Sequence, residues 1–163
     1  MKIITVLFLG LFIAGLNFTS FSQEFPAQCK SIEISNSQSA ENAEDCVLKL
    51  SDYILSQHVL NSGPDYFTAA ETVNNWITRT MNYTIEVNKN VQDLCVRKNE
   101  NLIHVYRAAL AHEALNGATN FHKQAVVTLV EYIRDDKNNV RVNRNIKKLL
   151  QAHDSGEFEE YYK

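Results

Sequence analysis

The residues with the most chemistry to offer stand at a single turn of the chain. His112 and Glu113 close one apolar segment, and His122 opens the next. At 100° per residue, Leu102, Val105, Tyr106, Ala109 and Leu110 fall on the buried stripe of a helix, and Glu113 falls in the middle of that stripe. His112 then lies on the flank, His104 points to the opposite, solvent side, and His122 faces the core in the first turn of the following helix. A short αα-hairpin would bring His112, Glu113 and His122 together, with His58 on the apolar side of an earlier helix as a fourth member. Two imidazoles and a carboxylate are a donor set for zinc, or an acid–base pair. Against this, His112-Glu113-Ala114-Leu115-Asn116 lacks the second histidine of a zincin motif. Helix ends also commonly carry polar side chains from a core out to water. The expectation is a structural cluster, with no cofactor.

Other constellations are weaker. Trp76 and Tyr106, with Tyr66 and Tyr83, could line a site for a small apolar ligand, but aromatics at helical spacing are usually core. Lys137, Arg141, Arg144, Lys147 and Lys148 form a basic run that could meet a polyanion or a membrane surface. On a helical wheel Arg141, Arg144 and Lys148 lie opposite Val142, Ile146 and Leu149, which describes the solvated face of an amphipathic helix. No nucleophile elbow or Gly-rich phosphate loop occurs, and two of the five glycines lie in the first 22 residues.

These residues sit in a chain whose start has the form of an export signal. Lys2 is the only charge before Glu24, Ile3 to Leu16 is almost purely apolar, and Ser20 and Ser22 suit the small positions before a cleavage site. That run is short of the ~20 residues a membrane span needs. Cleavage after Ser22 leaves about 140 residues, enough for one domain with its own core. The mature product is expected to be secreted or periplasmic, with no stable membrane anchor. Without Lys2, 16 basic side chains become one fewer against 19 acidic ones. A mildly acidic exported chain is a poor candidate for nucleic acid. Cys29, Cys46 and Cys95 allow one disulfide and one free thiol, paired either Cys29–Cys46 or Cys46–Cys95, and spacing does not choose between them.

After a polar, aperiodic segment, read as a flexible leader over 23–38, the apolar pattern is helical to the end. The spacing predicts helices from Ser39 to Leu60, Asp65 to Met81, Ile85 to Arg97, Asn99 to Asn116, Asn120 to Arg134 and Asn139 to His153. Pro26 and Pro64, the two prolines, both fall outside the interiors of these segments. The short connections between them suit antiparallel neighbours. The reading is all-α, about six antiparallel helices in one compact domain over 39–156, with a short αα-hairpin solenoid as the alternative and an acidic tail over 157–163.

Three stretches carry a resemblance: Lys49-Leu-Ser-Asp-Tyr-Ile-Leu, the run from Asn75 to Glu86, and Lys98-Asn-Glu-Asn-Leu. They are similar to uncharacterised exported helical proteins of Bacteroidetes-type bacteria. The resemblance implies location and fold class and no chemistry. The expected function is therefore that of a non-enzymatic interaction module for another exported or cell-surface protein. The alternatives are a carrier of a small apolar ligand around Trp76 and Tyr106, or a metal-binding or hydrolytic protein using His112, Glu113 and His122.

Overall fold

Seven α-helices and no strand run through the residues described by the computed structural model, 23–61 and 63–163. The signal-like segment 1–22 lies outside the described residues. The helices are α1 (Ser37–Asn42), α2 (Glu44–Ser56), α3 (Pro64–Arg79), α4 (Lys89–Gln92), α5 (Leu102–Leu115), α6 (Phe121–Arg134) and α7 (Arg144–Ser155). None is long and apolar enough to cross a membrane.

The centre is α5. Its Leu102, Val105, Tyr106, Ala108, Ala109, Leu110, Ala111 and Ala114 are all buried, so it is apolar on nearly every side. Such a helix must be enclosed. It is packed by α2, α3 and α6 at once, with α7 held against α6. Small alanines on α5 let its neighbours approach closely. Because α2 meets α5 although α3 and α4 lie between them in the chain, the packing closes into a bundle rather than stacking pair upon pair as a solenoid would.

The helix ends explain where the bundle departs from simple periodicity. The expected helix from Ser39 to Leu60 divides at Ala43, which ends α1 in a tight turn before α2 begins. Asn36 and Ser39 cap α1 reciprocally, so that helix starts two residues before Ser39. Pro64 takes the first position of α3, one residue before the expected start at Asp65, with Gly63 as its N-cap. Met81, expected to end this helix, lies beyond the end of α3 and is exposed.

The expected helix from Ile85 to Arg97 contracts to the single turn α4, capped by Asn88, whose side chain accepts from the Asn90 and Val91 amides. The last helix starts at Arg144 instead of Asn139, because the Asn143 side chain takes the Asn145 and Ile146 amides and fixes the N-terminus there. Arg141 and Val142 therefore belong to an extended segment and not to an amphipathic helix.

Both ends of the described region, at Gln23 and at Lys163, lie against the bundle. In the expected leader, Cys29 and Ile34 are buried, Phe25 packs edge-on to Tyr53, and the Gln23 amide donates to Ser56. Cys29 is bonded to Cys46, and Cys95 is free. At the other end Phe158 and Tyr161 are buried, so the acidic tail is anchored by its aromatics. Cross-links between loops complete the fold: the Tyr132 hydroxyl donates to the Gln57 carbonyl, and the Val59 amide donates to the Asn138 carbonyl.

Candidate functional site

The end of α5 does carry a polar cluster, although its membership differs from the expected one. His112 Nε2 lies 3.2 Å from Asp52 Oδ1 on α2, and Nδ1 lies 3.3 Å from Glu113 Oε1. The Thr128 hydroxyl on α6 donates to the same Glu113 oxygen at 2.9 Å, and the Asn116 amide lies 3.1 Å from His112 Nε2. Glu113 keeps only 18% of its side chain exposed, as its place on the apolar stripe requires. Its burial is matched by two partners, which is how a carboxylate survives at a helix–helix seam.

His122 does not join this group. It stacks on Phe121 at 4.2 Å, and its Nε2 accepts from the Glu86 amide. His58 is exposed in the loop after α2. Among the described residues no set of three or more His, Cys, Asp or Glu is placed to hold a metal ion. The expected triad of His112, Glu113 and His122 is thus divided, because α6 turns His122 toward the 84–90 loop instead of toward α5. Asp52 escaped the sequence reading because its partner lies on a helix distant in the chain.

The two ring nitrogens of His112 each face a carboxylate, which favours the imidazolium. Its pKa is raised above the usual 6.5, first by the hydrogen bond to Asp52 and then by the two negative charges, with burial opposing. His104 and His122 shift the other way, chiefly through burial. His104 was expected in solvent, but it packs edge-on to Tyr66 and Phe67, with its Nδ1 buried.

The sign of each contribution to stability follows. A raised histidine pKa adds stability that is full below pH 6.5 and is lost as pH climbs through the folded-state value. The lowered pair add stability present above pH 6.5 and lost as pH falls through theirs. Asp52→Asn is therefore expected to lower the His112 pKa in an NMR titration of the imidazole protons and to leave His104 and His122 where they are. An unchanged His112 curve would show that Asp52 is not its partner.

Trp76 and Tyr106, expected to line a ligand site, are each 0% exposed. Trp76 packs against Tyr83, and burial pushes the Tyr106 phenol up to about 12. Both serve the core between helices.

A second polar region was visible in the sequence only in part. The loop over 96–99 and the segment before α7 meet at an open cleft of about 460 Å³. Four cationic side chains line it: Arg97 and Lys98 from one side, and Arg141 and Arg144 from the other. No carboxylate lines it, and among the described residues none of the four forms an ion pair.

The two walls of the cleft are held together by Asn99, a buried amide. Its Nδ2 donates to the Arg141 carbonyl at 2.8 Å, and its Oδ1 accepts from the Arg141 amide at 3.1 Å. Arg97 is held in the left-handed region at φ 55°. This conformation costs a non-glycine residue about 1 kcal/mol. The turn amides of Asn99 and Glu100, which donate to the Val96 and Arg97 carbonyls, keep it there. Val96 lines the cleft beside these cations, Val142 follows Arg141 in the chain but lies outside the lining, and each is 44% exposed. Residues 141–148 supplied the sequence signal for this patch. Arg97 and Lys98 had none, because only the Asn99 clamp brings them alongside.

No family model matches the chain, and neither the curated proteins nor the solved structures contain a match to it.

Proposed function

We propose that the chain is exported and works as a non-enzymatic interaction module that docks another exported or surface-held protein. One observation carries this reading: four cations without ion pairs among the described residues and the exposed side chain of Val96 line one cleft, built from 96–99 and 141–145. Buried apolar anchors with a polar surround are the usual anatomy of a protein contact.

The other polar cluster supports a non-enzymatic role because its groups are spent on one another. His112 has a carboxylate at each nitrogen, so neither ring nitrogen is left free to take a proton from the Thr128 hydroxyl, which donates to Glu113. Export is supported by the signal-like start and by the Cys29–Cys46 disulfide, which persists in oxidising compartments.

The test is native purification of the exported chain followed by intact-complex mass spectrometry. A polypeptide bound in stoichiometric amount is the expected result. Stoichiometric lipid or metal in its place would overturn the reading.

A further inference from the structure

We infer that the cleft between 96–99 and 141–145 receives an acidic, partly apolar polypeptide segment of the partner; this rests on the interaction reading above. Recognition begins with charge. The whole chain carries a net −3, yet four cations converge here with no carboxylate among the lining residues. Cations gathered against an otherwise acidic surface attract anions and orient them on approach. Three of the four are arginines, whose planar forks pair bidentately with carboxylates and are less strongly hydrated than ammonium groups.

Two features select a peptide over a small oxyanion. Phosphate sites commonly use free amides at a helix N-terminus. Here the Asn143 side chain already takes the Asn145 and Ile146 amides of α7, so the cleft offers side-chain charge without that cradle. The cations also share the cleft with the exposed side chain of Val96, which an inorganic anion or a sulfated sugar would leave uncovered. A segment that alternates carboxylates with aliphatic side chains would use both. The acidic tail of this chain is an unsuitable occupant of its own cleft, because Asn88 and Asn90 hold the Glu160 carbonyl and Lys163 pairs with Glu159. The walls are set in advance by Asn99, which lowers the ordering cost of binding.

The probe is a short fluorescein-labelled peptide of alternating Glu and Val, followed by anisotropy with the mature, disulfide-bonded chain at low ionic strength. Saturable binding is expected, weakening as salt rises. Arg141→Glu with Arg144→Glu should weaken it at least tenfold. Lys49→Glu with Lys123→Glu makes the same change in net charge at residues that do not line the cleft, and should leave affinity within about twofold. Arg141, Arg144 and Lys49 are exposed, Lys123 is half-buried with its Nζ over the Phe158 ring, and circular dichroism checks that each variant folds.

Equal loss in both variants would reduce the effect to net charge and overturn the inference. So would equal binding of a Gln-for-Glu peptide. Displacement of the peptide by millimolar inorganic phosphate, or preference for heparin over the peptide, would assign the cleft to a different ligand and overturn it as well. Self-association abolished by the reversal would name a second copy as occupant, with the same consequence. A native partner that stays bound to the Arg141→Glu, Arg144→Glu variant would sink this inference and leave the interaction reading standing. Peptide binding without any native polypeptide partner would overturn the interaction reading, and with it the assignment of the cleft to a partner.

Discussion

Trp76→Ala is expected to destabilise the protein by about 3–5 kcal/mol, the usual range for deleting a large aromatic from a core. Trp76 is the only tryptophan, is fully enclosed, and packs against Tyr83 with ring centroids 5.7 Å apart. It lies on α3, one of the helices wrapped around α5, so the void would open at the middle of the bundle and could not collapse from the surface. Domains of this size have a total stability of about 5–15 kcal/mol, so the variant should stand near its unfolding midpoint in mild urea. Trp76→Phe should cost much less. The indole N–H meets no partner among the described residues, so phenylalanine removes no hydrogen bond and keeps most of the apolar volume. Urea unfolding followed by far-ultraviolet circular dichroism measures both, since the substitution deletes the fluorophore. A loss under about 1 kcal/mol for Trp76→Ala would mean that the indole is not buried as described.

Removing the disulfide is the second large effect. Cys29 and Cys46 are 17 residues apart, and a loop of that length is worth about 3 kcal/mol through the entropy it takes from the unfolded chain. The full value applies only if the tethered segment unfolds together with the bundle. The contacts of that segment say that it does: Ile34 is buried, Phe25 lies against Tyr53, and Gln23 is bonded to Ser56 near the end of α2. Cys29→Ala with Cys46→Ala should therefore lower the urea midpoint of the whole transition. If instead hydrogen exchange speeds up only over 23–36 and the midpoint holds, the segment is a separate, weaker unit. Intact mass spectrometry with and without thiol alkylation shows whether the bridge is present at all.

How far the sequence could be read depends on the range of the forces involved. The helical fold was legible because Tyr66, Ala69, Ala70, Val73, Trp76 and Ile77 repeat at the helical period, and all six are buried. α6 was readable almost to the residue, since Asn120 is a local cap that accepts from the Lys123 amide. The region from Ile85 to Arg97 misled because its apolar residues, Val87, Val91 and Leu94, suit a helix or a folded loop equally well. Its choice was made by contacts far along the chain, with Asn88 and Asn90 binding the Glu160 carbonyl.

The polar cluster failed in the same way. Glu113 was visible as a misplaced carboxylate, yet its partners were supplied by tertiary packing: Thr128 from α6, and His112 held in turn by Asp52 from α2. The disulfide choice was also a matter of packing, because spacing left both pairings open and only the docking of 23–36 on α2 decided it. The basic cleft needed Asn99 to reach across to Arg141, a pairing over 42 residues that no local pattern records.

The unpaired Cys95 has a consequence for how the chain is oxidised. Burial pushes its thiol up to about 12, against a smaller opposing pull from Arg107, and its Sγ donates to the Val91 carbonyl. Thiol–disulfide exchange requires thiolate, so once the bundle has closed this sulfur is a poor attacker of the Cys29–Cys46 bond. Scrambling is then confined to chains that have not yet folded, where all three sulfurs are accessible. Folding itself acts as the proofreading step: it withdraws the odd cysteine from the reaction and leaves the correct pair as the stable product.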